Sequence, residues 1–110
     1  MTDFAARARA AEVLMRAVFP PTPLQHNAFL SDRYAADIWL KREDLSPVRS
    51  YKLRGAFNAM LSMDVPKSGV IAASGGNHGA AVAYVARQLG HRAEIFVPEI
   101  IAPAKLARLE

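Results

Sequence analysis

The stretch Val70-Ile71-Ala72-Ala73-Ser74-Gly75-Gly76-Asn77-His78-Gly79 decides the fold. Its first four residues are an apolar run of strand length, the Ser-Gly-Gly-Asn turn breaks that run, and helical spacing takes over until Leu89-Gly90. A second strand, Ala93 to Val97, is closed by Pro98. Two strands separated by a helix of about a dozen residues make a parallel βαβ unit with a right-handed crossover. The fold class is therefore α/β.

Upstream of this unit, the residues from Tyr51 or Lys52 to Met63 place Leu53, Ala56, Phe57, Met60 and Leu61 on one helical face. Lys52 stands at the start of that helix. Glu43 to Arg49 is a polar loop containing Pro47, and Asp37 to Arg42 alternates as a strand, with Ile38 and Leu40 on one side and Trp39 and Lys41 on the other. Three prolines in Phe19-Pro20-Pro21-Thr22-Pro23 make residues 20–24 an extended connector. Before it, Phe4, Ala8, Ala11, Met15 and Val18 recur at helical spacing, with Thr2 or Asp3 as N-cap. Pro103 is placed as the first residue of a last helix through Leu106 and Leu109. One βαβ unit and a trailing helix leave strand edges and a sheet face uncovered, so the chain is expected to be the N-terminal portion of a larger parallel sheet.

The chain has 110 residues, 14 Lys+Arg against 10 Asp+Glu, a net charge of +4, and 52% apolar against 22% charged residues. Those proportions describe a core-forming chain and exclude a disordered tail, and no apolar run approaches the roughly 20 residues of a membrane span. The arginines are scattered from Arg7 to Arg108 with acids between them, so nucleic-acid binding is not expected. The Ala/Arg-rich first eighteen residues could be misread as a transit peptide, but Asp3, Glu12 and the lack of serine before Ser31 favour an ordinary amphipathic helix. With no cysteine, disulfides, thiolate catalysis and cysteine zinc sites are excluded, and a cytoplasmic location is allowed. His26, His78 and His91 are too far apart for a His-Glu-x-x-His site, and no metal is expected.

Two segments carry chemistry. In Ser50-Tyr51-Lys52-Leu53-Arg54-Gly55, the positive end of a helix dipole and the flanking Arg49 and Arg54 disfavour the ammonium form of Lys52, the direction Schiff-base chemistry requires. A solvated surface lysine would read the same way. In Ser74-Gly75-Gly76-Asn77-His78-Gly79, glycines admit a ligand close to the backbone, and free N–H groups at the helix start suit a carboxylate or phosphate. A plain turn joining strand to helix is the alternative. The spacing matches neither the dinucleotide-binding G-x-G-x-x-G nor a phosphate loop ending in Gly-Lys-Ser/Thr.

Taken together, Leu40-Lys41-Arg42-Glu43-Asp44-Leu45-Ser46-Pro47-Val48-Arg49-Ser50-Tyr51-Lys52-Leu53-Arg54-Gly55-Ala56, then Ala73 to Gly79, with Thr22-Pro23-Leu24 before them, closely resemble the threonine/serine dehydratase family of fold type II pyridoxal 5'-phosphate (PLP) enzymes. The resemblance runs over essentially the whole chain. It implies that Lys52 binds PLP as a Schiff base and then removes the substrate Cα proton, that Tyr51 packs near the cofactor ring, and that Asn77 hydrogen-bonds the PLP 3'-hydroxyl. It assigns the substrate carboxylate to Ser74, Gly75, Gly76, Asn77 and His78, although His78 on its own reads more readily as a helix-start residue packed or satisfied locally.

The implied reaction is β-elimination of threonine or serine to a 2-oxo acid and ammonia, in a homodimer or tetramer in the cytoplasm. Residues 1–52 would open the larger cofactor domain and residues 53–110 the smaller βαβ domain. The glycine-rich phosphate loop and the residue facing the pyridine nitrogen would lie beyond Glu110, so the 110 residues alone are expected to be inactive. Serine racemases of this fold carry a serine where Gly75 stands, and cysteine-synthase-like relatives usually carry threonine where His78 stands, which favours dehydration. A serine-racemase-like enzyme and a non-catalytic carboxylate-binding module derived from the family are the alternatives.

Overall fold

A computed structural model describes residues 3–110, and five helices and four strands follow one another along them. Helix α1 spans Phe4–Arg16 and is capped by Asp3, whose Oδ1 accepts the Ala5 N–H at 3.0 Å. The other cap candidate, Thr2, lies outside the described residues. The apolar stripe expected along α1 holds only toward its C-terminal end. Phe4 is 83% exposed, whereas Met15 and the following Phe19 are buried, because only the last turns of α1 reach the core.

The connector ends one residue early, since Leu24 already opens β1 (Leu24–His26), which pairs antiparallel with β2 (Trp39–Lys41) through Leu24↔Lys41 and His26↔Trp39. The strand expected over Asp37 to Arg42 thus shortens to its middle. Between these strands lies α2 (Ala28–Tyr34), capped by Asn27 Oδ1 on the Leu30 N–H at 2.9 Å and ended by Ala35 at φ 49°. Neither β1 nor α2 has a signal in the sequence pattern. Three residues are too few to show alternation, and α2 buries none of its side chains. The polar loop after β2 contains a 3-10 turn at Glu43–Leu45.

Helix α3 (Lys52–Ser62) buries Leu53, Ala56, Phe57 and Met60, while Leu61, expected on the same face, remains 39% exposed. The βαβ unit is present as β3 (Val70–Ala73), α4 (Asn77–Leu89) and β4 (Ala93–Phe96), with β3 and β4 parallel in the register Val70↔Ala93 to Ala73↔Phe96. Gly90, at φ 71°, ends α4 in the left-handed conformation, its N–H reaching the Ala86 and Arg87 carbonyls. Pro103 opens α5 (Pro103–Leu106), which is shorter than expected and passes into a turn before Leu109.

The core lies where α3 crosses α4, with Phe57, Leu53 and Val85 fully enclosed and Phe19 meeting Phe57 at a ring separation of 5.7 Å. Each such side chain contributes about 1.5–3 kcal/mol by leaving water. Ala72 faces α4, while the opposite face of the β3–β4 sheet carries the exposed Ile71 and Phe96. Among the described residues no helix is long and apolar enough to cross a membrane.

Candidate active site

Lys52 is the first residue of α3, and its placement follows from the loop before it. Ser46 and Ser50 are buried and tied reciprocally: Ser50 N donates to Ser46 Oγ at 2.9 Å, and Ser46 Oγ donates to the Ser50 carbonyl at 3.1 Å. The Lys52 N–H then donates to Ser50 Oγ at 3.2 Å. Arg49 adopts φ 55°, a left-handed conformation uncommon for a residue with a side chain, and it lets Val48 turn into the core. The loop therefore presents Tyr51 and Lys52 outward from a closed hydrogen-bond clasp. Lys52 Nζ lies 5.4 Å from the centre of the Tyr51 ring, and among the described residues no carboxylate lies within ion-pair distance of it.

Lys52 and Tyr51 share a groove of about 860 Å³ with His78, walled by the backbone and side chains of β3 and by Ala56, Met60 and Val82. The glycine turn enters from the end of β3, where the Ser74 N–H pairs with the Phe96 carbonyl at 3.0 Å and the Gly76 N–H turns back to Ser74 Oγ at 3.3 Å. Helix α4 starts at Asn77 without a side-chain cap, so its first amides remain available to an anion.

The predicted residues are not all brought together. Lys52, Tyr51 and His78 meet in the groove, Gly75, Gly76 and Asn77 line a neighbouring recess of about 270 Å³ with Lys105 and Arg108, and Ser74 lines neither. Asn77 Oδ1 is 3.4 Å from Arg108 Nη2, which also donates to the Val48 carbonyl at 2.9 Å. Asn77 is thus not brought into the Lys52 groove. Gly75 is closely packed: a β-carbon there would stand 3.0 Å from Ile101 Cδ1.

Sequence reasoning missed the ion pair immediately behind Lys52. Arg54 donates from Nε to Glu43 Oε2 at 3.1 Å and from Nη2 to Oε1 at 2.8 Å, and Thr22 Oγ1 donates to the same carboxylate at 2.7 Å. The Arg54 hydrogen bonds are the main cause holding the Glu43 carboxyl below the usual carboxylate range. Partial burial opposes them, and the Thr22 hydroxyl and the charge of Lys41 assist. A carboxyl lowered on folding contributes stability above its unfolded pKa, and that contribution is lost as pH falls through its folded value. Melting of the protein is expected to worsen from about pH 4.5 downward, with a Glu43→Gln variant lacking this part of the slope. Glu12 and Asp44 are lowered by their own arginine partners, Arg16 and Arg42, but both are more than half exposed, so solvent screens them and Glu43 dominates. Parallel acid titrations for the two proteins would refute this assignment.

Comparison with known proteins identifies the family of the chain. Residues 16–110 match the family described as pyridoxal-phosphate dependent enzyme. The chain is 48% identical over 96 residues to the biosynthetic L-threonine dehydratase of Corynebacterium glutamicum, an alignment covering 86% of this chain and 22% of that protein. Maize serine racemase superposes with a TM-score of 0.87 at 26% identity, covering 94% of this chain and 32% of that one. Threonine deaminase isoform 2 of Solanum lycopersicum superposes with a TM-score of 0.85 at 32% identity over 99% of this chain and 31% of that one. The chain spans about a fifth of the length of the curated relatives it matches. With the family match reaching from the last turn of α1 through α5 and taking in both the lysine loop and the glycine turn, the chain belongs to the pyridoxal-phosphate dependent enzyme family.

Proposed function

We propose that the protein containing this chain is a PLP-dependent dehydratase that converts threonine, serine or both to a 2-oxo acid and ammonia. The observation that carries the reading is the groove in which Lys52, Tyr51 and His78 meet beside the uncapped start of α4. The residues fit the cofactor: Lys52 offers an amine with no carboxylate partner among the described residues, Tyr51 offers an aromatic face, and β3 offers an apolar wall. The groove volume also falls within the roughly 300–1,000 Å³ of small-molecule sites.

When bound, the cofactor would supply an electron sink that acidifies the substrate Cα–H bond, and the residues of the site would orient that bond toward Lys52. Lys52 Nζ holds the cofactor before substrate arrives and afterwards takes the Cα proton. The Ser74 hydroxyl and those backbone N–H groups of the turn from Ser74 to His78 that are not already paired, at Gly75, Asn77 and His78, hold the substrate carboxylate and orient its Cα toward Lys52. Asn77 would hydrogen-bond the cofactor 3'-hydroxyl only by leaving the recess it lines with Arg108. In the overall reaction the Cα proton and the β-hydroxyl would leave as water, and one water taken up would give the 2-oxo acid and ammonia.

Gly75 supports dehydration over racemisation, because it offers no hydroxyl to return a proton from the opposite face. Threonine is supported as substrate by the names of the C. glutamicum and tomato relatives. On the same reading the whole protein is a cytoplasmic homodimer or tetramer. Residues 1–52 belong to its larger domain and residues 53–110 to its smaller one, in keeping with separate sheets before and after Lys52.

The test is borohydride reduction of the protein purified from its source, with intact mass and peptide mapping. A pyridoxyl group on Lys52 is expected. An unmodified Lys52 would overturn the reading and favour the non-catalytic carboxylate-binding module.

A further inference from the structure

We infer that Thr22, Glu43 and Arg54 form a positioning clasp that sets the orientation of Lys52, an inference that rests on the proposed role of that lysine. The three residues are 32 positions apart at the extremes and come from three separate segments: the proline connector, the 3-10 turn after β2, and the first turn of α3. They meet through four hydrogen bonds, three converging on the Glu43 carboxylate and the fourth joining Arg54 Nη2 to Thr22 Oγ1 at 3.2 Å. Lys41 Nζ donates to the Thr22 carbonyl at 2.5 Å and secures the connector from the other side.

Thr22 is 6% exposed, and the Glu43 and Arg54 side chains are 18% and 27% exposed. The Arg54 guanidinium lies 5.9 Å from the centre of the buried Phe19 ring, so water is partly excluded from the pair. A bidentate arginine–carboxylate pair fixes direction as well as distance. Arg54 follows Lys52 by two residues on the same helical turn, so the rotation of α3 that satisfies Glu43 is the rotation that points Lys52 into the groove. The exposed Arg42–Asp44 pair next door is similarly short, at 2.7 Å, but makes no hydrogen bond or ion pair to α3 among the described residues, which makes it the control.

The experiment follows covalent capture at Lys52 rather than turnover. PLP is added to full-length apoprotein, samples are trapped with borohydride over time, and the pyridoxyl-Lys52 peptide is quantified. Attachment joins Nζ to the aldehyde carbon and releases the aldehyde oxygen as water. Glu43→Gln and Thr22→Val are expected to slow attachment about tenfold or more, since small misplacements of a reacting group are costly. Thr22→Ser, which keeps the hydroxyl, and Asp44→Asn are expected to react as wild type. The Glu43→Gln/Thr22→Val double variant should be no slower than the slower single one, because the residues act as a unit.

Equal rates in all proteins would overturn the clasp, and so would slowing that merely follows the apoprotein melting temperature across a series including Val85→Ala, a buried residue outside the groove. If Glu43→Gln does not fold, the Thr22→Val and Thr22→Ser pair decides alone. If wild type acquires no pyridoxyl group at Lys52, the proposed function fails and the clasp fails with it. Labelling of wild type at unchanged rates in the variants overturns the clasp only.

Discussion

In the full-length protein, Lys52→Ala is expected to remove covalent PLP and to lower turnover by at least about 10³-fold, with little loss of stability. The two effects separate because of where the side chain sits. Lys52 is exposed, its ammonium lies 5.4 Å from the centre of the Tyr51 ring, and an exposed contact of that kind is worth about 0.5–1 kcal/mol. The Ser46–Ser50 clasp behind it and the buried Leu53 after it do not depend on the amine. Lys52→Arg sharpens the result: it keeps the positive charge over Tyr51 and should melt like wild type, yet it cannot form the Schiff base and should be as inactive as the alanine variant. Activity retained in either variant would remove Lys52 from the chemistry. Lost activity accompanied by a large fall in melting temperature would assign the residue a structural role instead.

The parts legible in the sequence were those whose physics is local. The apolar run from Val70 to Ala73, the glycine turn and the helix to Leu89 each carry their signal within a few residues, and all three stand where expected. The same holds for Lys52 at a helix start, which follows from the apolar spacing after it. β1 and α2 were invisible because one is three residues long and the other buries no side chain, so neither leaves periodicity to detect. α1 shows the opposite failure: its spacing predicted a full stripe, but spacing cannot say how far along its length a helix meets its neighbour, and Phe4 is left in solvent. The Glu43–Arg54 pair was illegible for a further reason. Opposite charges eleven positions apart in different elements have no fixed separation until the chain has folded, so the residues quoted in the motifs gave no hint that they touch. The division of the candidate residues between groove and recess was also beyond the sequence, because it depends on Arg108 reaching both Val48 and Asn77.

The glycine turn supplies the second large effect, and it falls on Gly79 rather than on the glycines that open the turn. Alanine normally improves a helical position held by glycine by about 1 kcal/mol. At Gly79 the sign should reverse, because a β-carbon there would stand inside contact distance of the Ser74 carbonyl oxygen, and Ile95 Cγ2 and Leu109 Cδ2 would both be 3.2 Å away. The two side chains can yield by a few tenths of an ångström, but the carbonyl belongs to the backbone that ends β3 and is held by the Ser74–Phe96 pairing. Gly79→Ala must therefore push the start of α4 away from the strand, at a cost of about 3 kcal/mol of the kind seen on overpacking. The same shift moves the turn proposed to hold the substrate carboxylate. Gly76 is the internal control: nothing lies within 4 Å of its would-be β-carbon, and its φ of −128° suits any residue. Gly76→Ala is expected to change stability by less than about 0.5 kcal/mol. Chemical denaturation of the two variants beside wild type measures the difference directly. If Gly79→Ala and Gly76→Ala unfold at the same midpoint, the close approach of Ser74 to α4 is not what requires glycine at position 79.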